Sequence, residues 1–99
     1  MKKIQLITKH DCSKCDLVKK WLVRHNIEFE EWKIEERKHV DFLLNDPIFL
    51  EKFDDPMSLD GVPLPTPAIR MVDSGQYYSK EIFGIFELRE KFLRKILDL

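Results

Sequence analysis

Lys3-Ile4-Gln5-Leu6-Ile7-Thr8-Lys9-His10-Asp11-Cys12-Ser13-Lys14-Cys15-Asp16-Leu17-Val18-Lys19-Lys20-Trp21-Leu22 decides the fold of this chain. Its first six residues alternate and are rich in β-formers, so they read as a strand. A polar loop, Lys9-His10-Asp11, follows. A helix then opens at or near Cys12-Ser13, with Leu17, Val18, Trp21 and Leu22 spaced for one apolar face. The Cys-x-x-Cys pair therefore stands at a strand-to-helix junction. The first turn of a helix leaves backbone N–H groups unpaired and carries partial positive charge. A thiolate at Cys12 gains from both, and Lys9 and Lys14 add positive charge nearby. Cys15 lies one turn on, within reach of Cys12 and better shielded.

Downstream of this stretch, His25-Asn26 marks the end of the helix, because Asn tolerates the left-handed conformation. Ile27 to Ile34 reads as a second strand, with Glu30-Glu31 blurring the alternation. That blur fits either a bulge or a strand buried on both faces. The strand–helix–strand spacing predicts a parallel βαβ unit. Glu36 to Asn45 reads as a helix with Val40, Leu43 and Leu44 inward. Asp46 caps a short helix from Pro47, with Phe49, Leu50 and Phe53 as its buried face. Asp54 to Pro65 reads as irregular. Pro67 to Val72 is a third strand, Asp73-Ser74-Gly75 a turn, and Gln76 to Lys80 a returning hairpin strand in which one of Tyr77 and Tyr78 faces inward. The last helix is expected from about Ile85 to the end, on Ile85, Leu88, Phe92 and Ile96, with Phe86, Leu93 and Leu97 beside them.

Composition narrows the function classes. The chain has 99 residues, with 17 Lys and Arg against 18 Asp and Glu, a formal charge of −1. No basic stripe marks a nucleic-acid binder, and no apolar run approaches membrane-spanning length. The N-terminal residues are too polar for a signal peptide. The reading is one domain over residues 1–99, a monomer in a reducing cytoplasm. In that compartment two close cysteines are catalytic or metal-binding more often than structural.

Thiolate fraction governs attack on a disulfide. Cys12 is thus read as the nucleophile and Cys15 as the resolving thiol of a dithiol that exchanges with disulfide-containing substrates. Two rivals use the same cysteines: a zinc-binding module and a regulatory redox switch. A zinc site would need further ligands, and His10, His25 and His39 lack the paired spacing of a zinc finger, so no metal ligand is assigned. His10 is read as a solvated loop residue and Trp21 as core.

Over nearly its whole length the chain resembles a glutaredoxin-type member of the thioredoxin superfamily. The resemblance rests on Ile4 to Thr8, the Lys9-to-Cys15 segment, the helix through Trp21-Leu22, Ile27-Glu28-Phe29 and Thr66-Pro67-Ala68-Ile69. It implies an α/β thioredoxin-like fold, a central four-stranded mixed sheet flanked by helices in the order β-α-β-α-β-β-α. It implies dithiol–disulfide exchange with no bound cofactor. It places a cis-proline at Pro67, facing the cysteines, with the Thr66 backbone open to an extended substrate. Lys9 stands where glutaredoxins often carry a lysine that contacts a glutathione carboxylate. The chain departs from the pattern in three places, one being a segment from Asp46 to Leu64 that is longer than usual. Ser13-Lys14 replaces the common Pro-Tyr, and Tyr77 to Gly84 contains no Gly-Gly pair. The electron donor therefore stays open between glutathione and a thioredoxin reductase-type protein.

Overall fold

The computed structural model describes residues 3–53, 66–83 and 87–99. The expected irregular segment from Asp54 to Pro65 lies outside them, as do Ile85 and Phe86. Elements follow in the order β1 (Ile4–Thr8), α1 (Ser13–Arg24), β2 (Phe29–Lys33), α2 (Arg37–Leu44), α3 (Pro47–Lys52), β3 (Ala68–Met71), β4 (Tyr77–Tyr78), a 3₁₀ turn (Lys80–Ile82) and α4 (Glu90–Leu97). The four strands form one sheet in the order β2-β1-β3-β4. β1 pairs with β2 in parallel, and the β1–β3 and β3–β4 pairs are antiparallel. The predicted βαβ unit and hairpin are thus both present.

Strand alternation sends side chains to two separate cores. Ile4, Leu6, Ile69 and Met71 meet Val18, Trp21 and Leu22 of α1 and Leu93 and Leu97 of α4. On the opposite face Ile7, Ala68, Trp32 and Tyr77 meet Leu43 and Phe49 of α2 and α3. Because both faces are covered, Tyr77 and Tyr78 both pack, on opposite sides. Tyr77 is fully buried, and Tyr78 packs against the α1/α4 core. The expectation that only one of them faces inward is corrected for this reason. The Tyr77 hydroxyl donates to Asp46 Oδ2 at 2.6 Å. Burial, then that hydrogen bond, hold the phenol well above its ordinary pKa.

The element ends follow local chemistry. Asn26 closes α1 at φ 57°, as the sequence predicts. Asp46 caps α3 by accepting from the Ile48 N–H at 3.0 Å. Gly75 supplies the positive φ of the hairpin turn, at 74°, where a side chain on another residue would be strained. β2 runs in unbroken register with β1 from Phe29 to Lys33, so it carries no bulge, and it is not buried on both faces either: only Trp32 is buried, while Glu30 and Lys33 are exposed at this edge of the sheet.

Three apolar expectations fail for one reason. Leu17, Leu44 and Leu50 are 51%, 50% and 42% exposed. Each follows or precedes a buried residue by one position, which turns it about 100° away on a helix. On α2 the inward stripe is His39 and Leu43, four apart, and His39 stacks on Trp32 with centroids 5.1 Å apart. The last helix starts at Glu90, later than expected. Phe83 bridges Leu88, and the Arg89 N–H donates to the Ile82 carbonyl at 2.8 Å. The backbone there is bonded back to the 3₁₀ turn and cannot be helical. The Trp21 indole then donates to Glu90 Oε1 at 2.7 Å, tying α4 to α1.

Candidate active site

β1 delivers the chain to the C-terminal end of the sheet. Asp11, at φ 53°, turns it, and Cys12 becomes the N-cap of α1. Its Sγ accepts the Cys15 backbone N–H at 3.2 Å. A sulfur in that place receives an otherwise unpaired donor and the positive end of the helix. Cys12 is partly exposed, whereas Cys15 is only 1% exposed. Their Cα atoms are 5.2 Å apart and their sulfurs meet as a close Cys12–Cys15 pair. One sulfur can meet an outside molecule, and the other can reach only its partner.

Of the two lysines expected beside Cys12, only Lys9 lines the hollow that holds it. The Lys14 ammonium lies over the Phe83 ring, 5.5 Å from its centroid. Its charge is directed toward that aromatic face. His10 is exposed and contacts Asp11 at 3.3 Å, as a solvated loop residue should.

The Thr66-Pro67 peptide is cis. Ile7 pairs with Ala68, so Pro67 immediately precedes β3 at the end of the sheet where β1 gives way to the Cys12 loop. Pro67 is buried and Thr66 partly exposed. The Ser79 hydroxyl donates to the Pro67 carbonyl at 3.0 Å, a buried bond. Nothing in the sequence singles out Ser79. Its backbone N–H in turn donates to Glu81 Oε1 at 3.1 Å. Burial pushes the Glu81 carboxyl up, but the bonds from Lys52 and the backbone outweigh it and hold the group below its usual value.

The hollow beside Cys12 has a volume of about 440 Å³. Lys9 and Cys12 meet in it, but Thr66 and Pro67 do not line it. They stand on the β3 side, with the end of β1 between. The hollow instead brings in residues that the sequence reading passed over: Thr8, Asp16, Lys19, Glu31 and Lys33. Thr8 Oγ1 donates to Glu31 Oε2 at 2.8 Å, and Lys19 Nζ donates to the same oxygen at 3.1 Å. Burial pushes the Glu31 carboxyl up. The bonds from Thr8 and Lys19 and the charges of Lys19 and Lys33 outweigh that and hold it below its ordinary value. Glu31 therefore stays ionised at neutral pH. Its signal in the sequence was the break in alternation at Glu30-Glu31. Among the described residues, no group of three or more His, Cys, Asp or Glu side chains is placed to hold a metal ion.

Two solved structures are similar to this chain in fold. The thioredoxin-like protein BC3987 has a TM-score of 0.59 at 19% identity, over 94% of this chain and 97% of its own. The fold is thioredoxin-like. A T8A mutant of BC3987 superposes equally well, with a TM-score of 0.60 at 19% identity over 95% and 97% of the two chains. No family model matches the chain, and no curated protein matches it. At this identity the likeness carries the thioredoxin-like architecture and no more. Within that architecture a close cysteine pair at a helix N-terminus fits redox chemistry. No helix among the described residues is long and apolar enough to cross a membrane.

Proposed function

We propose that the protein is a thiol–disulfide oxidoreductase of glutaredoxin-like type, reducing protein or small-molecule disulfides through Cys12 and Cys15. The observation that carries this reading is the asymmetry of the pair. Cys12 Sγ caps α1 at the surface, and the sulfur paired with it belongs to a residue that is 1% exposed.

In the reduced protein the Cys12 thiolate attacks one sulfur of a substrate disulfide. A bond forms between Cys12 and that sulfur, and the other substrate sulfur leaves as a thiolate and takes a proton from water. Cys15 then gives up its proton and attacks Cys12 Sγ. The mixed disulfide breaks, the second substrate thiol leaves, and Cys12–Cys15 is oxidised. Two electrons pass from the dithiol to the substrate. A thiol donor returns them by the reverse exchange. Thr66 and Pro67 are assigned to substrate alignment, the Thr66 backbone offering strand-like bonds to an extended chain. Lys9, facing the Cys12 hollow, is assigned to a carboxylate of the thiol substrate or donor, glutathione being one such molecule.

A coupled assay tests the reading. The protein is supplied with hydroxyethyl disulfide and NADPH, once with glutathione and glutathione reductase and once with thioredoxin reductase. Protein-dependent NADPH oxidation is expected with one of the two, which names the donor. No turnover with either, together with no reduction of insulin by dithiothreitol above background, contradicts an enzymatic role and favours a switch.

A further inference from the structure

Glu31 points to the α1 side of the sheet, a face otherwise filled by Ile4, Leu6, Ile69 and Met71. A carboxylate there loses hydration and needs compensation. It has it: Thr8, itself 1% exposed, donates from one side and Lys19 from the other. As a mere fastener between α1 and β2 the pair is a poor device, since apolar packing of similar volume serves as well or better. Its position suggests another use. Cys12, Asp16 and Lys19 are spaced four and three apart on one face of α1, and all three line the hollow with Glu31.

We propose that Lys19 and Glu31 are positioning residues with opposed effects on Cys12, the Lys19 charge favouring its thiolate and the Glu31 charge restraining it. The inference rests on the redox reading above. Other charged groups also face Cys12. Lys9, His10 and Asp11 come from its own loop and Asp16 from α1; Lys33 and Glu35 come from β2 and the turn after it. All of these are exposed at the residue level, so water and salt screen them. The Lys19 and Glu31 side chains are only 33% and 26% exposed. Held by the Thr8–Glu31 and Lys19–Glu31 bonds and partly withdrawn from solvent, their charges act through a lower dielectric.

The test is the pH profile of Cys12 alkylation by iodoacetamide in reduced protein. Buried Cys15 reacts slowly, so the early rate reports Cys12. Glu31→Gln keeps the volume, removes the anion and leaves Lys19 unopposed. The Cys12 thiolate fraction at a fixed pH below its midpoint is expected to rise about threefold, the effect of one charge acting across a partly solvated hollow. Lys19→Met is expected to lower it by a similar factor. Lys19→Arg keeps the wild-type profile, and the Glu31→Gln/Lys19→Met double variant returns close to it. A purely structural role moves both single variants the same way or neither, and either result overturns the proposal. If Glu31→Gln fails to fold, Lys19→Met against Lys19→Arg still decides. The alkylation profile is readable whether or not the cysteines cycle. Loss of a reversible disulfide in the wild type therefore sinks the redox reading separately.

Discussion

Cys12→Ser is expected to lose disulfide reductase activity by roughly a thousandfold or more, the scale seen when a nucleophile is removed. A serine hydroxyl is not ionised at neutral pH and does not displace a sulfur from a disulfide. The change is nearly isosteric, and serine is a preferred N-cap. The fold should therefore survive, and unfolding temperature should stay within a few degrees of wild type. Cys15→Ser should behave differently. The partly exposed Cys12 still attacks, but the buried resolving sulfur is missing. A mixed disulfide between Cys12 and substrate should accumulate and be visible by mass spectrometry under non-reducing conditions. If Cys15→Ser were the inactive variant and Cys12→Ser the trapping one, the roles would be exchanged. That exchange would conflict with the exposures of the two residues.

Leu22→Ala is expected to cost about 3 kcal/mol, the middle of the range for buried leucines, and to lower Tm by about 15 °C for a domain of this size. Leu22 is fully buried between α1 and the sheet, and its loss leaves a cavity under the helix that presents Cys12. Leu44→Ala is the matched comparison. The helical pattern places Leu44 inward, yet it is 50% exposed, so its truncation should change stability by no more than about 0.5 kcal/mol. Thermal unfolding of the two variants side by side checks both values. Equal losses would mean that α2 packs with the face the hydrophobic pattern favours.

Where the sequence was legible, a local rule and the tertiary fold agreed. The alternation of Ile4 to Thr8, the cap at Asp46, the turn at Gly75 and the left-handed end at Asn26 are each set by residues a few positions apart. The Cys12–Cys15 pair could be placed because strand, loop and helix are contiguous there. The failures arise where the partner element decides. Leu17, Leu44 and Leu50 fit an apolar stripe one position wide of the true one. Which edge of that stripe is covered depends on residues from other elements, Ile4, Leu6 and Ile69 for α1 and Trp32 and Tyr77 for α2 and α3. His39 packs inward by stacking on Trp32 and by its Nδ1 contact with the Lys33 carbonyl at 2.9 Å, a distance periodicity cannot see.

The candidate site was legible in the same uneven way. Both cysteines, and Lys9 beside Cys12, follow from the first fifteen residues. Pro67 needs the β1–β3 pairing to come to the same end of the sheet as Cys12. The Ser79 bond to Pro67 and the Thr8–Glu31–Lys19 cluster join residues 12 to 23 positions apart. Such links have no local pattern. Glu31 showed itself only as an irregularity in a strand, which is how a charged group at an inward position reads before its partners are known.

The decisive measurement is the redox equilibrium of the wild-type protein in buffers of reduced and oxidised dithiothreitol, followed by alkylation and mass determination. The two cysteines should pass together from blocked to doubly alkylated, along a single two-electron transition that is the same from either direction. Independent labelling of Cys12 and Cys15, with no state in which both are protected by each other, would contradict the dithiol mechanism.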